Sequence, residues 1–200
     1  MFDAIVLAGG AASRLDGVDK ATVQIGGRAL VQHVVEAVRD ARRVVVVGPR
    51  IELPGLEHVH WCREDPPGSG PVAAVAEALV RIDASRVVLL AVDLPFIAEA
   101  IPPLLSALAD AEAATLVDAD GRANYVAAAW RSDALRDAVQ RMTGINGAAL
   151  RSLYADVRLA GVVDAGWGQD CDTPEQLAAA RARAEALNVP DAQPPTGGSP

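Results

Sequence analysis

A few short stretches combine residue types that could do chemistry. The first is Leu7-Ala8-Gly9-Gly10-Ala11-Ala12-Ser13-Arg14, followed by Asp19-Lys20. Glycines directly behind a strand-like run let the backbone approach a ligand, and successive amides can cradle phosphate oxygens. An ordinary tight turn also uses adjacent glycines. Arg14 and Lys20 tip the balance towards a phosphate, because they bring mobile positive charge to a loop that otherwise has little. The stretch is neither a Walker A loop nor the dinucleotide fingerprint. The second stretch is Ala91-Val92-Asp93-Leu94-Pro95. An aspartate at the end of a buried strand can hold Mg²⁺, a hard cation that takes one or two carboxylates plus phosphate oxygens. The bland alternative is an aspartate that caps the next turn.

The third stretch is Gln169-Asp170-Cys171-Asp172-Thr173-Pro174-Glu175. Asp170 and Asp172 alternate, so in extended chain they face the same way, and either could complete a metal shell. Thr173 reads as the N-cap of a last helix and Pro174 as its first residue. The fourth is Pro67-Gly68-Ser69-Gly70-Pro71, a glycine–proline loop that leads into a helix and could offer backbone groups to a base edge or a phosphate. Other reactive types carry less. His33 falls on an amphipathic helix and reads as packing. His58 and His60 share one strand face but lack a third ligand nearby. Ser13 has no visible His–Asp partners. Trp61, Trp130 and Trp167 read as packing or pocket walls.

These stretches need a scaffold, and the pattern supplies one. Apolar runs alternate with helical periodicity from end to end. Ala4–Leu7, Val44–Val47, His58–Trp61, Val87–Val92, Ala114–Val117, Tyr125–Trp130 and Val157–Val163 read as strands. An Asp120-Gly121 turn joins the fifth and sixth. Helices are expected over 29–39, 71–79, 102–109, 134–142, 148–154 and from Pro174 onward. Strand, helix, strand, helix is the pattern of an α/β fold: a mainly parallel sheet with helices on both faces. In such sheets ligands bind beyond the carboxyl ends of the strands. That rule selects the loop after Leu7, the loop after Val92 and the segment leading to Thr173, where the suggestive residues lie.

Composition narrows the function. The chain has 200 residues, 51% hydrophobic, with a formal net charge of −8. That length suits one domain. Residues 1–188 are expected to form it, and the Pro- and Gly-rich residues 189–200 to form a disordered tail. An acidic chain lacks the general basic surface that bulk nucleic acid requires. Phosphates must then be met by a few placed cations and backbone amides. Cys62 and Cys171 have no paired spacing, so a disulfide framework and a zinc site are not expected, and a cytoplasmic protein with reduced thiols is. No run is long enough to span a bilayer.

The residues now resemble a known family. Leu7-Ala8-Gly9-Gly10 followed by Arg14-Leu15-Asp16-Gly17-Val18-Asp19-Lys20 is similar to the signature loop of the molybdenum cofactor guanylyltransferases. The resemblance continues through Gly27, Leu30, Gln32-His33-Val34, Gly70-Pro71-Val72-Ala73, Asp93-Leu94-Pro95-Phe96 and Asp172-Thr173-Pro174-Glu175-Gln176-Leu177. It implies a single-domain Rossmann-like nucleotidyltransferase fold. It implies that the Leu7, Ala8, Gly9 and Gly10 backbone, Arg14 and Lys20 hold a triphosphate, that Gly70 helps read the base, and that Asp93 binds Mg²⁺, with Asp172 and Asp170 on the second metal side. A second glycine at position 10 goes with guanine in the family, so GTP is the implied donor and molybdopterin the implied phosphorylated acceptor. Transient contact with cofactor-handling proteins would follow.

The chain departs from the family at several points. Asp16 stands where glycine is usual, Ala12 where serine is frequent, and Ala74 where glycine is frequent. Asp170-Cys171-Asp172 stands where Asn-x-Asn is common. Gly121-Arg122-Ala123-Asn124-Tyr125-Val126 lacks the usual His-Pro pair on the acceptor side. The implied reaction is in-line attack of an acceptor phosphate on the α-phosphorus of GTP, with Lys20, Arg14 and Asp93 as the catalytic residues and no protein nucleophile. Two other readings share the loop: a sugar-1-phosphate or other small-molecule nucleotidyltransferase, and a non-catalytic nucleotide-binding regulator.

Overall fold

The structure, a computed structural model, describes residues 1–9, 14–15 and 18–187. Strands β1 (Asp3–Leu7), β2 (Val44–Val47), β3 (His60–Cys62), β4 (Arg86–Ala91), β5 (Ala113–Val117), β6 (Ala123–Arg131) and β7 (Leu159–Val163) form one sheet, in the order β7-β5-β6-β4-β1-β2-β3. Strand β6 runs antiparallel to both its neighbours, and every other pair is parallel. The expected α/β architecture is therefore the observed one.

The alternation of side chains along each strand explains why both faces are covered. Ala4 and Val6 of β1, Val44 and Val46 of β2, and Val88 and Leu90 of β4 enter one core. Helices α1 (Leu30–Ala37) and α3 (Ile101–Ala107) cover it with Val31, Val34, Val35, Ile101 and Leu104. Ile5, Leu7, Val45, Val47, Val87 and Leu89 enter the opposite core, under α2 (Pro71–Leu79) and α4 (Ser132–Gln140). Helix α5 (Pro174–Leu187) seals a third, smaller cluster, in which Leu177, Ala180 and Ala184 meet Ile25, Leu30 and Cys171.

Element boundaries follow from local chemistry. Pro71 opens α2 and Pro174 opens α5, each at a position where no amide donor is missed. At α5 the Thr173 hydroxyl accepts from Gln176 N–H at 3.2 Å, while the Gln176 carboxamide accepts from Thr173 N–H at 2.9 Å. This reciprocal cap fixes how the chain enters the helix.

Some local expectations change. The segment expected to be helical over 148–154 is a 3-10 helix, Leu150–Tyr154. Gly147 at φ 72° precedes it and Asp156 at φ 58° follows it, so too few residues remain to propagate an α-helix. His58 does not share a strand face with His60. The chain turns at Leu56–Val59, where Val59 N–H donates to Leu56 O at 3.2 Å, and β3 starts only at His60. Two small antiparallel ladders were not foreseen. One pairs Arg14–Leu15 with Val18–Asp19, and the other pairs Gln24–Ile25 with Arg28–Ala29. The expected tail, 189–200, lies outside the described residues.

Candidate active site

The switch in strand connection falls between β1 and β4, which are parallel neighbours whose chains leave in different directions. Such a seam opens a crevice at the carboxyl ends of the strands. Here the loops after Leu7 and after Ala91 are tied together. Val92 N–H donates to Leu7 O at 3.0 Å, and Ala8 N–H donates to Val47 O at 2.8 Å. The crevice is a cavity of about 430 Å³ lined by Leu7, Ala8, Gly9, Lys20, Gly70 and Asp93, among others. All but two of the expected nucleotide-binding residues thus share one cavity. The two are Gly10, which lies outside the described residues, and Arg14, whose side chain does also.

Lys20 reaches the cavity through the 14–19 ladder. Asp19 ends that ladder, and its carboxylate accepts from Ala21 N–H at 3.0 Å, which starts the one-turn 3-10 helix Lys20–Thr22. The Lys20 side chain is buried and bridges two carboxylates. Its ammonium lies 3.1 Å from Asp93 Oδ2 and also pairs with Asp172 Oδ1. Burial alone would lower its pKa. The hydrogen bond to Asp172 and the charge of Asp93 more than offset that, so Lys20 is held above its ordinary value and stays an ammonium. Asp93 is pushed up by burial, against the pull of Lys20.

Neighbouring packing holds these carboxylates. Leu94, next to Asp93, is fully buried, and Phe96 packs under α5 with the Arg183 guanidinium 4.0 Å from its ring centroid. Cys171 is 1% exposed in the α5 cluster, so its neighbours Asp170 and Asp172 turn outward together, as their alternation predicts. Burial in this cluster makes Cys171 a packing anchor for the segment and pushes its thiol up to about 11. Asp172 reaches Lys20. Asp170 accepts from the Gln176 carboxamide at 2.6 Å instead, and burial raises its pKa. Among the described residues no group of three or more His, Cys, Asp or Glu is gathered closely enough to hold a metal by itself.

Asp93 and Asp172 also line a second cavity of about 540 Å³ on the far side of the cluster. Its wall includes Asp118, Arg122, Asn124, Tyr125, Asp164 and Asp170. A bulge in β6 shapes it. Asn124 pairs with Leu116 and Ala128 with Thr115, so residues 125–127 have no partners on β5. The bulge turns Tyr125 and Val126 towards the cavity, and the Thr115 hydroxyl donates to the Asn124 and Ala127 carbonyls. The position where the family usually has His-Pro thus lies in this wall.

The sequence reading missed several contributors. Gly48 follows β2, and a Cβ there would stand 2.8 Å from Ala8 C and O, so only glycine lets the first loop pack this closely. Its signal was the Gly48-Pro49 pair, read only as the end of a strand. Glu64, 8% exposed in the wall of the first cavity, carried no pattern that marks burial. The β6 bulge left no glycine or other trace in sequence.

An open α/β sheet with a glycine loop, a buried lysine and two facing carboxylates at its switch point defines a protein of the nucleotidyltransferase class. The chain belongs to the MobA-like NTP transferase domain family, whose profile matches residues 4–162. It is 36% identical over 152 residues to a Mycobacterium tuberculosis protein named probable molybdenum cofactor guanylyltransferase, covering 70% of this chain and 72% of that one. Among solved structures, it is similar to 2-C-methyl-D-erythritol 4-phosphate cytidylyltransferase from Thermus thermophilus (TM-score 0.71, 21% identity, 92% of this chain and 100% of that one). It is likewise similar to molybdopterin-guanine dinucleotide biosynthesis protein A from Archaeoglobus fulgidus (TM-score 0.69, 20% identity, 92% and 99%). At those identities the structures speak for the fold alone. The family match ends before Asp170 and Asp172, so their place beside Asp93 comes from the folded chain.

Proposed function

We propose that this protein transfers GMP from GTP to the terminal phosphate of molybdopterin and releases pyrophosphate. The supporting observation is that two cavities meet at one cluster, Lys20 with Asp93 and Asp172. The first cavity, with the Leu7–Gly9 backbone and Lys20, suits a triphosphate. The second suits the acceptor. A phosphate entering from each side would meet at the cluster, as in-line transfer requires.

The donor set fits Mg²⁺. Two carboxylates already share one cation, the Lys20 ammonium, and Mg²⁺ takes one or two carboxylates and completes its shell with phosphate oxygens and water. Asp93 and Asp172 would hold it, and Asp170 would support Asp172 through Gln176, which also accepts from Asp172 N–H at 2.8 Å. When bound, the ion offsets charge on the phosphates. The chain's own groups do the rest. The loop amides orient the phosphates, Arg14 and Lys20 balance the charge that builds on the leaving pyrophosphate, and the second cavity aligns the acceptor. A phosphate acceptor is already ionised, so no general base is needed.

The reaction belongs in the cytoplasm, where GTP is at hand and both thiols stay reduced. Among the described residues no helix is long and apolar enough to cross a membrane. The test is pyrophosphate release with each of the four NTPs, Mg²⁺ and candidate acceptors. Release with GTP and molybdopterin is expected. Release only with a sugar 1-phosphate, or tight binding with no release under any condition, would overturn the assignment.

A further inference from the structure

The sheet ends in two edges of different character. At one, β3 has three residues and begins with the exposed His60. At the other, β7 runs Leu159-Ala160-Gly161-Val162-Val163, apolar throughout and in unbroken register with β5. An edge strand usually carries a charge, a proline or a bulge that keeps other strands away. Strand β7 carries none of these. Its ladder fixes which backbone groups are free. Arg158 O accepts from Glu112 N–H, and Asp164 N–H donates to Val117 O, each at 2.9 Å. In a parallel ladder the bonding residues alternate, so the backbone of residues 158, 160, 162 and 164 serves β5. The N–H and C=O groups of Leu159, Gly161 and Val163 point away from the sheet, and among the described residues they have no partner.

The side chains add a second observation. Ala160 and Val162 pack into the core beneath α3. Leu159, Gly161 and Val163 face the other way and stand exposed. Val163 is 80% exposed and Leu159 39%; among the described residues no other element carries two such large apolar side chains. The strand is also bounded by opposite charges, Arg158 before it and Asp164 after it. The Arg158 side chain is 72% exposed, with Glu112 3.6 Å away. The Asp164 carboxylate is held in place by Gly166 N–H at 2.9 Å and Trp167 N–H at 2.7 Å.

We propose that β7 pairs with β7 of a second copy of this chain, antiparallel and centred on Gly161. An apolar strand with opposite charges at its two ends complements itself when reversed. In this register Gly161 faces Gly161 of the second copy, Leu159 faces Val163, and Arg158 faces Asp164. Leu159, Gly161 and Val163 then all fall at hydrogen-bonded positions, so every outward N–H and C=O meets a partner. Leu159 and Val163 of opposite copies lie within side-chain contact and cover each other. A slip by one residue would set the outward groups against groups already used by β5. A slip by two would carry Leu159 or Val163 past the end of the strand and part Arg158 from Asp164. The exposed ion pairs therefore fix the register and add little affinity. Both copies use the same edge, so the pair closes on a two-fold axis and does not propagate.

Sedimentation velocity on the full chain across a dilution series tests the pairing. The parent should show a reversible dimer. Val163→Lys sets a charge in the apolar contact and should raise the dimer dissociation constant about tenfold or more. Its melting temperature at dilutions where both proteins are monomeric should match the parent's, because Val163 is already exposed in one copy. Cross-linking tests the register. In the double variant Leu159→Cys with Val163→Cys, oxidation should give a covalent dimer on a non-reducing denaturing gel. The two cysteines of one copy lie roughly 13 Å apart along the strand, too far to bridge each other. Val163→Cys alone should not cross-link, because the two copies of that residue lie about as far apart across the axis. The parent, with Cys62 and Cys171, is the control. A parent that stays monomeric throughout the series overturns the proposal. So does a dimer that Val163→Lys leaves unchanged, or a double variant that cross-links no better than Val163→Cys alone. If Val163→Lys does not fold, the cross-linking comparison decides.

Discussion

The two halves of the sheet are built differently on either side of the β4 strand. On one side, β4-β1-β2-β3 is all parallel; β1, β2 and the middle of β4 are buried on both faces, and the edge strand β3 is partly exposed. On the other, β4-β6-β5-β7 contains an antiparallel strand with a bulge, and alternate residues of β7 (Leu159, Gly161 and Val163) are exposed. A parallel half puts all its strand ends, and therefore all its loops, on one side. That geometry is general to phosphate binding. A bulged antiparallel strand brings particular side chains, here Tyr125 and Val126, into a wall, and such a wall can be changed without rebuilding the core. On the proposed function, the shared chemistry would fall to the first half and the choice of acceptor to the second.

The strongest way to break that division is at the point where both halves meet. Asp93→Asn keeps the size of the side chain but removes the charge that faces both cavities. Turnover should fall by about 10³-fold or more, on the scale of losing a metal-held phosphate contact. The melting curve should change little. Near-normal turnover would remove Asp93 from the site and with it the common point of the two halves.

Lys20→Ala comes next and separates a catalyst from a nucleotide sensor. A charge that acts most as the pyrophosphate leaves affects kcat more than ground-state binding. Single-turnover kinetics should show a loss on the order of 10² in rate, with a clearly smaller loss in GTP affinity. Equal losses in both would count against the catalytic role. The same variant leaves Asp93 without its ammonium partner, so a lower melting temperature is also expected.

Two further substitutions should act on one half each. Gly48→Ala pushes a methyl group against the Ala8 backbone, 2.8 Å away, and that backbone cannot swing aside like a side-chain tip. A loss of about 1–3 kcal/mol in stability is expected, with weaker GTP binding and an unchanged KM for the acceptor. Asn124→Ala should do the reverse, raising the acceptor KM severalfold while GTP affinity stays the same. If either variant moves both constants together, the two cavities are not independent.

The two halves were not equally legible in the sequence. The continuous β-branched run Val44–Val47 and the apolar run Val87–Val92 announced buried parallel strands, and the prolines at 71 and 174 marked where helices begin. The alternation of Asp170, Cys171 and Asp172 was enough to place both carboxylates on one side. What stayed hidden depends on contacts between distant parts of the chain. Nothing near Lys20 says that it pairs with Asp172, 152 residues on. Nothing near Gly48 says that Ala8 lies against it. The β6 bulge depends on Thr115 satisfying carbonyls on another strand, which local pattern cannot carry.

The smallest expected effect lies at the opposite end of the sheet and should leave both substrates untouched. Asp3 starts β1, fully buried, and its Oδ2 accepts from Asp83 N–H and Ala84 N–H at 2.9 Å each. The Arg42 guanidinium reaches it at 3.3 Å. Burial alone would raise the carboxyl pKa. The two amides and Arg42 together more than reverse that and hold it below its ordinary value of 3.8. A group whose folded pKa is depressed stabilises the fold at pH values above its unfolded pKa, and that contribution is lost as pH falls through the folded value. The parent should therefore show its extra stability over Asp3→Asn at neutral pH, and the gap should narrow only below about pH 4. Chemical denaturation of both proteins from pH 7 down to pH 3 measures it. A gap that stays constant across that range would mean that Asp3 acts by shape and hydrogen bonding alone. A gap that closes on the alkaline side would contradict the sign. GTP affinity and acceptor KM should not change in Asp3→Asn at pH 7, because the carboxylate sits at the amino ends of the strands and both cavities open at the carboxyl ends.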